Sequence, residues 1–130
     1  MANALGGNKG ERYSATGRFT EAMMLHENFE WDEEKADSNL KKHGVSFDDA
    51  AMVLADEDGD RFHIEEFDEK HSIGEDRYVT TASHPNDRSI VLIISWTDRS
   101  TEDDKITRII SARAAKPAER RRYVKEIGKQ

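Results

Sequence analysis

The chain has 130 residues, 35% of them hydrophobic and 36% charged, with a formal charge of −7 and no cysteine. That length suits one domain with a lean core, and the missing thiols exclude disulfides, thiolate metal sites and a cysteine nucleophile. No run reaches the roughly 18 consecutive apolar residues of a membrane span, so a cytoplasmic protein with no membrane contact is expected.

Residues 1–28, with Gly6, Gly7, Gly10 and Gly17 among scattered polar residues, carry no sustained periodicity. Their apolar patch at residues 22–25 is too short for a signal-peptide core. We expect a disordered or weakly structured extension, with a short helix around residues 19–26 as the alternative and Met23 or Met24 as a second possible start. The domain itself is expected over residues 29–130.

Phe29-Glu30-Trp31 alternates apolar and polar and opens that domain as a short strand. Asp32 is placed as a helix N-cap with Glu33 and Glu34 in the first turn, Ala36 and Leu40 share a face, and Gly44 supplies the stop. Ser46 restarts a helix with Asp49 three residues on, and Phe47, Ala50, Ala51 and Leu54 form its stripe. The two helices predict a compact hairpin. Asp58-Gly59-Asp60 predicts a turn and residues 61–67 a weak strand. Strands follow over 78–83, 90–96 and 105–112, the middle one apolar enough to be central and covered on both faces. Pro117 suits the first turn of a last helix in which Arg120, Tyr123, Val124 and Ile127 share a side. The pattern predicts an α+β domain whose antiparallel sheet has an N-terminal helical hairpin and a C-terminal helix.

Charge is strongly polarised along the chain. Residues 105–130 hold nine Lys or Arg against two Glu, a balance of +7, whereas residues 27–76 hold eighteen acids against five bases, or −13. The basic end should attract nucleic acid, and the acidic stretch offers carboxylates to a basic partner.

Four stretches, Phe29-Glu30-Trp31-Asp32-Glu33-Glu34-Lys35-Ala36, Asn39-Leu40-Lys41-Lys42-His43-Gly44-Val45-Ser46-Phe47, His71-Ser72-Ile73-Gly74-Glu75-Asp76-Arg77 and Arg108-Ile109-Ile110-Ser111-Ala112-Arg113, resemble the BrnT family of type II toxins in order and spacing. The resemblance covers about residues 29–127. It implies a RelE-like fold, a ribonuclease that inhibits translation, and neutralisation by a BrnA-like antitoxin with a ribbon-helix-helix domain, through which operator DNA is bound indirectly.

Metal-independent RNA cleavage needs a base for the 2′-hydroxyl, donors for the phosphorane and an acid for the leaving 5′-oxygen. Arg108 and Arg113 flank a strand end, and their guanidiniums are expected to converge on one phosphate. His71, Glu75 and Arg77 form a second polar cluster, in which Glu75 would orient the imidazole if residues 71–75 make one turn. Tyr123 offers a phenol to the phosphate, or else an aromatic ring to the core. Lys116, Arg120 and Arg121 are expected to bind RNA. No histidine pair has metal-ligand spacing, and neither a metal nor a cofactor is expected. The overall acidity is unusual for such an enzyme. Two competing readings stand beside it: a non-catalytic regulatory module binding antitoxin or nucleic acid on the same fold, and a small nucleic-acid-binding domain without an antitoxin.

Overall fold

In the computed structural model, residues 28–129 are described. The extension, the alternative start and the helix expected at 19–26 lie outside the described residues. From there the chain runs β1 (Phe29–Glu30), α1 (Glu33–His43), α2 (Phe47–Leu54), a short α3 (Gly59–Phe62), β2 (His63–Phe67), a 3-10 turn (Glu69–His71), β3 (Arg77–His84), β4 (Asp87–Asp98), β5 (Thr107–Ala114) and α4 (Pro117–Ile127).

Both early helices begin on the caps read from the sequence. The Asp32 carboxylate accepts from the Glu34 and Lys35 amides at 2.8 and 3.3 Å, and the Ser46 hydroxyl accepts from the Asp49 amide at 3.1 Å. Gly44 ends α1 at φ +71, a left-handed conformation that a side chain would strain. The inward residue of α1 is not Leu40, which is 49% exposed, but Asn39. Its side-chain amide donates to the carbonyls of Ala112 at 2.7 Å and Val45 at 3.0 Å, and its oxygen accepts the Ala112 amide at 3.1 Å. Asn39 thus completes the outer edge of β5 beyond the reach of the two-residue β1.

The sheet has the order β1-β5-β4-β3-β2. Strands β2 to β5 form the expected antiparallel meander, but β1 lies parallel to β5, with Phe29 opposite Thr107 and Glu30 opposite Arg108. The sheet is therefore mixed, which a two-residue strand could not announce because its pattern carries no direction. Between β1 and the meander, α3 replaces the start of the strand expected from Arg61. There the Asp56 carboxylate accepts the Asp58 amide at 2.9 Å and the Arg61 amide reaches the Asp58 carbonyl at 2.9 Å, so local hydrogen bonds win over weak strand propensity.

Helices α1 and α2 lie on one face of the sheet, and each leans on the strands more than on its neighbour, unlike the tight hairpin expected. Phe29, Trp31, Phe47, Val53, Leu92 and Ile94 are central to the core between them. Among the described residues, α4 covers one end of the second face. There α4 follows β5, and its buried Tyr123 hydroxyl donates to the Phe62 carbonyl at 2.6 Å and accepts the Ser83 amide at 3.1 Å. Val91, beside Ser83 across the β3–β4 pair, is buried, but Ile93 and Ser95 farther along β4 stay partly open. Among the described residues the second face of the central strand is thus partly open at Ile93 and Ser95, between buried Val91 and buried Thr97.

Candidate active site

A strand alternates its side chains, so residues five apart point to opposite faces. Arg108 and Arg113 escape this rule. Trp96 pairs with Ile109 and Ser95 with Ser111, leaving Ile110 as an extra residue, a β-bulge in β5. Ile109 and Ala112 therefore both face the helices, while Arg108, opposite Thr97, and Arg113, opposite Ile93, both occupy the second face. The two arginines sit about 15 Å apart along the strand. They bracket the open face and do not meet at one point, which departs from the expected convergence.

Arg108 belongs to a row that crosses four strands. Arg77 of β3 pairs with Thr97 of β4, Thr97 with Arg108 of β5, and Arg108 with Glu30 of β1. Two strand spacings separate Arg77 from Arg108, about 10 Å between backbones, a gap that two long side chains can close on one bound group. Arg108 Nη1 meets Glu30 Oε2 at 2.7 Å. Arg77 Nε meets Glu75 Oε2 at 3.3 Å, and the other Glu75 oxygen takes Arg99 at 3.1 Å.

The loop before β3 closes on this row. The Asp68 amide donates to the Arg77 carbonyl at 2.8 Å and the Arg77 amide to the Ser72 hydroxyl at 2.9 Å, so His71 and Glu75 lie at the same end of the sheet as Arg108. His71 is not oriented by Glu75. The 3-10 turn brings Asp68 three residues back to the imidazole, at 2.8 Å from Nδ1, while Gly74 at φ +82 swings the chain and sends Glu75 to Arg77 and Arg99. The imidazole stays 59% exposed.

At the other end, Arg113 and Glu119 form a bidentate pair at 2.8 and 2.9 Å, and Glu119 also accepts the Lys116 amide at 2.8 Å. The Arg113 hydrogen bonds, with that amide behind them, pull the Glu119 carboxyl from an ordinary 4.5 down to about 2, and the same pair raises Arg113. A depressed carboxyl contributes stability above its unfolded value, and that contribution is lost as pH falls toward its folded value. Water reaches 24% of the Glu119 side chain and screens the pair to about 1 kcal/mol. Urea unfolding should therefore register about that much stability lost between pH 5 and pH 2 in the wild type, a component missing from Glu119→Gln. Parallel acid profiles for the two proteins would refute the assignment.

Tyr123 is buried, with its hydroxyl donating to the Phe62 carbonyl at 2.6 Å. Lys116, Arg120 and Arg121 are exposed around α4. Among the described residues no group of three His, Asp or Glu side chains is arranged to hold a metal ion, and no helix is long and apolar enough to cross a membrane. Sequence reasoning passed over Glu30, Asp68 and Glu119. The inward Phe29 and Trp31 already implied that Glu30 faces outward, but its partner lies 78 residues away.

A family model described as the ribonuclease toxin, BrnT, of a type II toxin-antitoxin system matches residues 31–119. No curated protein matches the chain.

Proposed function

This chain belongs to the BrnT family of ribonuclease toxins of type II toxin-antitoxin systems, and we propose that it is a metal-independent endoribonuclease that cuts RNA on the open face of its sheet and thereby inhibits translation. One observation carries this reading: the β5 bulge puts Arg108 and Arg113 on the same face, with Arg77 in the row of Arg108. Arg108 and Arg77 hold the scissile phosphate and stabilise the charge that develops on it. Arg113, about 15 Å along the strand, engages the backbone farther on, and Lys116, Arg120 and Arg121 extend the track over α4. His71, braced by Asp68, gives its proton to the leaving 5′-oxygen, and Glu75 fixes the approach of Arg77.

The arrangement suits a RelE-like toxin over residues 29–130: α1 and α2 pack on one face of the sheet, and Arg77, Arg108 and Arg113 stand on the other, beside α4. We assign neutralisation to a BrnA-like ribbon-helix-helix antitoxin, through which the pair meets operator DNA in the cytoplasm. The carboxylates of α1 and α2, Glu34, Asp37 and Asp49 among them, offer its basic segments an acidic surface.

A second reading, a non-catalytic module that binds antitoxin or nucleic acid, draws support from the pairing of Arg77, Arg108 and Arg113 each with a carboxylate of the same chain. A labelled single-stranded RNA incubated with the full chain in EDTA, free and with translating ribosomes, separates the two. Cleavage leaving a 2′,3′-cyclic phosphate is the expected result. Loss of cleavage in EDTA would overturn metal independence, and binding without cleavage under every condition would select the module.

A further inference from the structure

Three carboxylates stand beside arginines on the open face, and they differ in what they have left to give. Glu119 spends both oxygens on Arg113 and one again on the Lys116 amide. Glu75 spends one oxygen on Arg77 and the other on Arg99. Glu30 binds Arg108 through Oε2 alone, and its second oxygen has no hydrogen-bond partner among the described residues. Its side chain is 22% exposed, so solvent and substrate reach it from the open face.

RNA cleavage asks for this juxtaposition. The 2′-oxygen attacks the phosphorus carried by the adjacent 3′-oxygen, so the group that removes its proton must stand next to the group that holds the phosphate. A carboxylate and a guanidinium 2.7 Å apart meet that requirement. We propose that Glu30 is the general base of this site and that Arg108 passes from the Glu30 carboxylate to a phosphate oxygen as RNA binds. While paired with Arg108, the carboxylate has one oxygen taken up by the guanidinium. Once the guanidinium turns to the phosphate, both Glu30 oxygens are open to the 2′-hydroxyl arriving beside it.

The step balances without a co-reactant. The 2′-hydroxyl proton goes to Glu30, the 2′-oxygen forms a bond to phosphorus, and the bond from phosphorus to the 5′-oxygen breaks. The leaving oxygen takes a proton from His71, giving a 2′,3′-cyclic phosphate and a 5′-hydroxyl. Exchange of both protons with water restores the enzyme.

This role rests on the ribonuclease reading above, and the test keeps the two apart. Wild type, Glu30→Gln and Glu30→Ala are compared on a labelled single-stranded RNA, with translating ribosomes where these are needed for wild-type cleavage. Unfolding midpoints are measured in parallel. Glu30→Gln should lose about 10²-fold or more in kcat while binding RNA at least as tightly as wild type, because a carboxylate competing for Arg108 has gone. Added formate should restore part of the activity of Glu30→Ala, whereas chloride at equal ionic strength should not. A Glu30→Gln variant cutting within threefold of wild type, a loss confined to KM, or no rescue by formate would each reduce Glu30 to a brace for Arg108 and leave the ribonuclease reading standing. A wild type that binds RNA and never cuts it would end both.

Discussion

Arg108→Ala is expected to cut RNA about 10²–10³-fold more slowly than wild type, the usual effect of removing one donor aimed at a transition-state charge. The loss should fall on kcat. In the proposed mechanism Arg108 leaves Glu30 for the phosphate, so its strongest interaction would arise as charge builds on the phosphorane. The fold should survive, because the Glu30 left behind sits at the sheet edge within reach of water. Arg77→Ala should cost less than Arg108→Ala, since Arg99 shares Glu75 with Arg77 and leaves a second guanidinium at that end of the sheet. Arg108→Ala combined with Glu30→Gln should be little worse than the poorer single variant, because the proposed base and donor would act in one step. Single-turnover rates and unfolding midpoints decide the matter: an Arg108→Ala enzyme within fivefold of wild type removes this arginine from the chemistry.

The local signals in the chain were legible for physical reasons. Asp32, Ser46 and Gly44 satisfy or terminate helix ends within four residues, and such contacts can be read without knowing the rest of the fold. The meander followed likewise from short loops between apolar strands. What stayed hidden depends on long-range pairing. Glu30 meets Arg108 only because β1 joins β5 in parallel, and Arg108 shares a face with Arg113 only because Ile110 is an extra residue in the ladder. Spacing alone would have separated those arginines. Gly74 bends the loop so that Asp68, rather than Glu75, reaches His71. The ribonuclease family was visible in the four stretches, and the model match over residues 31–119 agrees with it.

The largest stability loss we expect comes from Asn39→Leu, at about 3 kcal/mol. Helix spacing nominates Leu40 as the inward residue, and a leucine at 39 matches asparagine in size at this buried position. The burial is polar, however. Asn39 serves the amide and carbonyl of Ala112 and the carbonyl of Val45, three backbone groups with an apolar core beside them. A buried group left without its partner costs about 1–3 kcal/mol, and part of that returns if water reaches the edge of β5. Asn39→Asp should also destabilise, because a carboxylate accepts from the Ala112 amide but cannot donate to either carbonyl. The consequence reaches the site, since Ala112 stands between the bulge and Arg113 on the strand that aligns both arginines. Hydrogen exchange at the Ala112 amide should accelerate in Asn39→Leu more than at the Ile94 amide, deep in the central strand. Urea unfolding of the variant within 1 kcal/mol of wild type, with the Ala112 amide still protected, would show that β5 keeps its edge without this side chain.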